Sequence, residues 1–298
     1  MSVAETKSSV SKRAKQLLSE RRHRIELDEF VNEHLRDALN ALSAKNFPLG
    51  GNATDEDFVK RVAAYQTAIG DLQTIVILLA RWGDTEGLLQ LEKILSRIAN
   101  ADKTAGGLVI WLQLRWYPVL VLMYSAGITA LSVKHYDALQ VVLATHVRAD
   151  QASRGSEPLV MRAIGAQTDT INNFKVLPGH EGDRYPRSEH LFKVLGPMLD
   201  EALFLGEEYE MLFDRFEVLV ALSFADFRDP SGEGNCWGPP GRFAYKNDYS
   251  ASPMAMLLAE VEAQGQSWPL LGSGLFGGNL ERFLKVARSY QQLLSRHW

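Results

Sequence analysis

One cysteine, Cys236, stands among 298 residues. A lone thiol cannot close an intrachain disulfide, so nothing here calls for an oxidising compartment. No apolar run follows the basic residues of the N-terminus, which argues against a secretory signal and makes the cytoplasm the expected location. The histidines (23, 34, 135, 146, 180, 190 and 297) form no His-Glu-x-x-His and no ligand pair at helical spacing, so no metal is expected. Walker-loop, nucleophile-elbow and paired-carboxylate signatures are missing too, and no cofactor is expected. Alternating runs of the strand type form no series, which excludes a β architecture.

What is present is ordinary globular composition, 46% hydrophobic and 23% charged, and this argues against disorder. The net charge is -4, but it is unevenly spread. Residues 1–24 carry Lys7, Lys12, Arg13, Lys15, Arg21, Arg22 and Arg24 against Glu5 and Glu20, a net of +5, which leaves -9 for the rest. The reading is a basic N-terminal arm over 1–24 and one helical domain over 25–298, with a possible subdivision near 150–188. The arm is a candidate contact for nucleic acid or for a negative partner surface, or else a frayed charged terminus.

Helical periodicity dominates. Leu27, Val31, Leu35, Ala38, Leu39 and Leu42 recur at three- and four-residue steps. Thr54 is placed to cap the next helix, with Asp55, Glu56 and Asp57 at its positive end. Phe58, Val62, Tyr65, Ile69, Leu72, Val76 and Leu79 then hold one face for about six turns. From Trp116 to Val133 run eighteen residues without a formal charge, with Arg115 at their edge. That is the lower limit for a membrane span, yet Arg115, Gln113 and Pro118 would then sit in or beside hydrocarbon. A buried core helix beginning near Pro118 accounts for them better. Ser188 is expected to cap a helix interrupted at Gly196-Pro197, and Glu208 to Arg228 to form a long amphipathic helix that Asp229-Pro230 stops. A glycine-, proline- and aromatic-rich stretch from 230 to 252 is too long for a plain connector. Ser252-Pro253 and Asn279 start the last two long helices. The class is all-α: an irregular bundle of about nine or ten helices in antiparallel hairpins, weakly like tetratricopeptide repeats, with two long loops.

Candidate sites are few. Gly272-Ser-Gly274-Leu-Phe-Gly277 has the glycine spacing of dinucleotide-binding loops. It lacks the preceding strand and the later acidic residue, so it reads as a glycine-rich start to the last helix. Arg184 and His190 fit the loose Arg–His spacing of HEPN ribonucleases, a low-weight catalytic alternative. Arg115, flanked by Trp111, Trp116 and Tyr117, is either a buried cation fixing helix register or a ligand contact. Trp237, Arg242 and Phe243 either face a partner from the 230–252 loop or plug that loop onto the bundle.

Several segments are distinctive together: Phe47-Pro-Leu-Gly-Gly51, Ala80-Arg-Trp-Gly-Asp84, Trp111-Leu-Gln-Leu-Arg-Trp-Tyr-Pro118 with Ala126-Gly127, Leu177-Pro-Gly179 with Ser188-Glu-His-Leu191, Trp237-Gly-Pro-Pro-Gly-Arg-Phe243, and Trp268-Pro-Leu-Leu271 with Gly274-Leu-Phe-Gly-Gly278. In these the chain resembles a helical region of bacterial, often actinobacterial, proteins associated with SIR2-like or TIR effector modules. The resemblance implies a part in anti-phage defence but supplies no catalytic residues. The expected function is a non-enzymatic sensing or scaffolding module that binds a protein partner, an effector subunit or a phage protein. The alternatives are a HEPN-like ribonuclease or other nucleic-acid effector, and a death effector inserting residues 107–133 into membrane. Self-association is open.

Overall fold

The computed structural model describes residues 3–101, 106–149, 155–166, 171–229, 236–246 and 252–297. Residues 230–235 and 247–251 of the long loop, and 150–154 and 167–170 of the irregular middle, lie outside them.

The helices α1 (Val3–Leu18), α2 (Arg24–Ala41), α3 (Asp55–Ala68), α4 (Gly70–Trp82) and α5 (Thr85–Ala99) make the first half. Thr54 caps α3 in a full capping box with Asp57, and Asp84 caps α5 by accepting from the Gly87 N–H. The apolar face expected to run unbroken from Phe58 to Leu79 is bent by 54° between α3 and α4. The break falls at Ile69-Gly70, where glycine is the weakest residue in a helix interior. Residues 3–18 are helical, and α1 buries Val10, Ala14 and Leu17 against α4 and α2.

The centre is α6 (Val109–Leu114) followed by α7 (Tyr117–Ser132). Pro118 falls in the first turn of α7, where its missing N–H leaves no carbonyl unsatisfied. Every residue of α7 from Tyr117 to Leu131 is buried. Among the described residues Val109–Ser132 is apolar and long enough to cross a membrane, as are the bent α3 and α4 taken together, and 94% of the apolar window of Val109–Ser132 is packed inside the protein. It is enclosed by α4, α5, α8 (Tyr136–Ala144), α10 (Pro186–Leu203) and α11 (Glu208–Arg228). An interior helix need not be amphipathic, because no face meets water.

A short antiparallel ribbon, β1 (His146–Arg148) with β2 (Ser156–Pro158), precedes α9 (Leu159–Gly165). The helix α10 begins at Pro186 rather than at a Ser188 cap, and it runs through Pro197, whose ring lies on the exposed side. Glu208 to Arg228 is helical as its pattern requires, with Phe213, Phe216 and Leu219 fully buried. Ser252 caps α12 (Pro253–Gln264), and the Asn279 side chain accepts from the Arg282 N–H at the start of α14 (Leu280–His297), after the one-turn α13 (Pro269–Gly272). The architecture is all-α. The added helices beyond the expected nine or ten include the short α6, α9 and α13, too brief for periodicity to reveal.

Candidate functional site

Among the described residues, two of the places that depart from the rule of apolar inside and polar outside bear on function. The first lies under the segment 236–246, on α10 and α11. Gly238 and Gly241 permit its approach: a methyl group at 238 would stand 2.3 Å from the Ala221 carbonyl oxygen, and one at 241 would stand 2.2 Å from Glu217 Oε2. With the backbone that close, Glu217 is sealed from water. It accepts from the Tyr124 hydroxyl at 3.2 Å and the Ser188 hydroxyl at 2.8 Å. Burial pushes the Glu217 carboxyl up to about 7, against the pull of those donors and of buried Arg187. Ser188 in turn accepts from the Arg242 N–H at 2.9 Å, so it joins α11 to the segment instead of capping α10. The cavity between them, lined by Tyr124, Tyr185, Arg187, Ser188, Glu217 and Pro239, holds about 10 Å³. That is the scale of one water and excludes a substrate.

Arg242 extends the network outward. Its guanidinium donates to Asp214 Oδ1 at 3.0 Å, Glu210 Oε1 at 3.1 Å and Glu189 Oε2 at 3.3 Å, and it lies 3.8 Å above the centre of the Phe192 ring. Burial opposes its charge, but Asp214 and Glu189 outweigh burial and raise its pKa. Lys246 bridges Glu210 and Asp214 from the other side. Burial raises the Asp214 carboxyl, with Lys246 and Arg242 working against it. Phe243 is buried beside them, and Trp237 is half-buried with its ring edge-on to Phe224 at 5.5 Å. The described part of the loop is therefore held by side chains that its composition marked for recognition.

The other sequence candidates lie apart from this network. Arg115 is half-buried where α6 ends, its N–H bonded to the Trp111 carbonyl, and its charge acts on Tyr65. The cation stacked on Trp111 is instead Arg61, 4.0 Å from the ring centre, and Arg162 lies 5.0 Å from that of Trp116. Arg184 is exposed beside the Tyr185 ring. His190 is buried, its Nε2 2.9 Å from the Tyr117 hydroxyl, which accepts from Gln66 at 2.6 Å. Burial first, then the charges of His180 and Lys193, take His190 down to about 3, so the ring is neutral at physiological pH and a poor base. His180 is paired with Asp183 at 2.6 Å. Among the described residues no group of three or more His, Cys, Asp or Glu is placed to hold a metal ion.

The second departure is an apolar surface at one end of the bundle, and no sequence pattern announced it. The Arg81 guanidinium stacks on Trp82 at 4.4 Å and donates to the Ala202 carbonyl at 2.7 Å, joining the ends of α4 and α10. His135 Nδ1 donates to the Ala80 carbonyl at 2.9 Å, which adds the end of α7. Trp82, Val133 and Phe204 are exposed there, Phe204 to 87%. The chain continues from Phe204 into α11, where exposed Met211 faces exposed Met256 across a cleft of about 290 Å³ floored by Leu257 and Pro253. Phe204 holds a left-handed backbone, φ 58° and ψ 47°, after the last turn of α10. Glycine or asparagine is usual at such a position, and a bulky side chain costs roughly 1 kcal/mol there.

No family profile, curated protein or solved structure matches the chain.

Proposed function

We propose that the chain is a non-enzymatic helical module that binds a protein partner through the bundle end carrying Trp82, Val133, Phe204, Met211 and Met256. One observation carries the reading: a phenylalanine held in left-handed backbone and pushed into water. Neither the strain nor the exposure helps the isolated chain fold, whereas both present a rigid aromatic anchor to a second surface. The opposed methionines beside it supply adaptable apolar contact. The buried network beneath 236–246 then serves to fix α10 and α11, the two helices whose junction presents Phe204. The setting in anti-phage defence rests on the resemblance of the motifs alone.

A photo-cross-linking amino acid in place of Phe204, in the full chain expressed in its host, tests the reading. A discrete protein adduct is expected, suppressed by Met211→Glu. Irradiation that yields no adduct at 204, while a control site elsewhere cross-links intramolecularly, would remove the proposal.

A further inference from the structure

We infer that the partner segment docked at this face carries acidic residues, placed against Trp82, with an apolar run that follows them onto Phe204. The inference rests on the partner-binding reading above and names the chemistry of its occupant.

The observation is a pair of cations held at an exposed aromatic ring with no carboxylate to answer them. Trp82 is 45% exposed. Arg81 stacks 4.4 Å from its ring centre, and exposed Lys15, reaching over from α1, stands 5.8 Å from it. Neither cation forms an ion pair among the described residues, and exposed Lys12, a helical turn before Lys15, forms none there either. The Arg81 guanidinium bonds to the neutral Ala202 carbonyl, and its remaining N–H groups are open to solvent.

The other charges around this end are mostly answered locally. Arg21 pairs with Asp84 and Arg22 with Glu20, and the cleft of about 410 Å³ beside Trp82 adds Arg24 and Glu86, which offset each other. In the Met211–Met256 cleft Lys246 holds Glu210 and Asp214, Arg215 holds Glu260, and Lys134 beside Val133 also acts on Glu260. What is left at the centre is positive at Trp82 and negative at Glu201, Glu207 and Glu208, on α10 and before α11 beside Phe204.

That remainder sets the occupant's chemistry. A partner that covers Trp82 takes Arg81 and Lys15 out of water, and a cation buried with no anion to meet it opposes docking. A carboxylate on the partner removes the penalty, and a guanidinium stacked on an indole presents its free N–H groups to one. The acids must stop there. Continued past Phe204 they would meet Glu207 and Glu208, whereas an apolar run meets the Phe204 ring and the opposed methionines. A basic segment is repelled at Trp82, and a wholly acidic one is repelled at the start of α11.

The test selects binders from a random dodecapeptide display library on the purified full chain. Enriched peptides are expected to carry Asp or Glu on one side of a cluster of Leu, Phe or Trp. A synthetic peptide of that consensus should lose at least about tenfold in affinity to Lys15→Glu, and as much when its own acids are replaced by amides. Lys15 is exposed, so its replacement spares the core, and unlike Arg81→Gln it leaves the bond to Ala202 in place. Enrichment of neutral or basic peptides overturns the inference, as does a consensus peptide indifferent to Lys15→Glu, or a library from which nothing is enriched. Single-stranded DNA that binds the wild type and is released by Lys15→Glu, with no acidic peptide enriched, would overturn it too and give these cations to phosphate. Any of these failures, together with a cross-link from position 204 to another polypeptide, would leave partner binding standing without the acids.

Discussion

Beneath the 236–246 segment, charged side chains are taken out of water, whereas around Phe204 apolar side chains are left in it. The first region is closed: Asp214, Glu217 and Arg242 are buried, and each has hydrogen-bond partners on neighbouring elements. A buried charge in such a network is costly to orphan, so its substitution should appear in stability. The second region is open, and Phe204, Met211, Glu207 and Glu208 are held by little that folding needs. Substitutions there should appear in association instead. The two regions are therefore separable by which measurement each one moves.

The largest expected effect lies in the closed region. Arg242→Met removes the guanidinium from Asp214, Glu189 and Glu210 at once, leaving Lys246 for Asp214 and Glu210 and the Tyr245 hydroxyl for Glu189. Urea denaturation should show a loss of about 3–5 kcal/mol. A loss below about 1 kcal/mol would mean that the network is not a stabilising clamp, and the contrast would collapse.

A sharper cut comes from pH. Glu217 titrates near 7 in the folded protein against an ordinary 4.5, so between those values the native state keeps a proton that the unfolded chain releases. Its contribution is whole below 4.5 and is lost as pH rises towards 7. His190 acts oppositely: held near 3 against 6.5, it makes the native state gain stability as pH rises from 3 to 6.5. Between 4.5 and 6.5 the two oppose each other. In Glu217→Gln the Glu217 slope is gone while the other groups titrate as before, so the stability of the wild type minus that of the variant should fall by roughly 1 kcal/mol per pH unit across pH 4.5–7. A difference that stays flat over that window would show Glu217 to be solvated.

Gly241→Ala asks how tightly the segment is pressed down, since the new methyl group would sit 2.2 Å from the Glu217 carboxylate. Overpacking of this kind costs about 1–3 kcal/mol. If instead the segment lifts freely, the midpoint in urea will not move.

Legibility in the sequence follows the same division. The helices from Arg24 to Ala41 and from Glu208 to Arg228 could be read directly, because a repeat of three and four residues is what a half-buried helix imposes. The bend at Ile69-Gly70 could not, since the apolar face continues across it. Arg242 and Phe243 stood out by composition, but composition does not say whether an arginine beside aromatics faces water or three carboxylates 28 to 53 residues away. Ser188 looked like a cap and proved to be a joint between α11 and the 236–246 segment. Phe204 left no trace at all. Its meaning lies in a backbone angle and in the neighbours brought to it by Arg81, neither of which has a local pattern.

The smallest effect on stability carries the most about function. Replacing Phe204 with glycine removes the side-chain penalty of left-handed backbone while giving the unfolded chain more freedom, and these act in opposite directions. At a C-terminal helix position with positive φ the first effect is the larger, so Phe204→Gly should stabilise the chain by about 0.5–1 kcal/mol. The hydrogen bonds that end α10, from the Phe204 N–H to the Asp200 carbonyl and from the Gly206 N–H to the Asp200 carboxylate, use backbone donors and survive the change. The same variant should lose association, because the apolar centre of the face goes with the ring. A chain that becomes more stable and less sociable by one substitution is the pattern expected where an anchor is kept for a partner at the expense of folding. Loss of stability would place the ring among the groups that hold the fold, and the bundle end would then need another anchor.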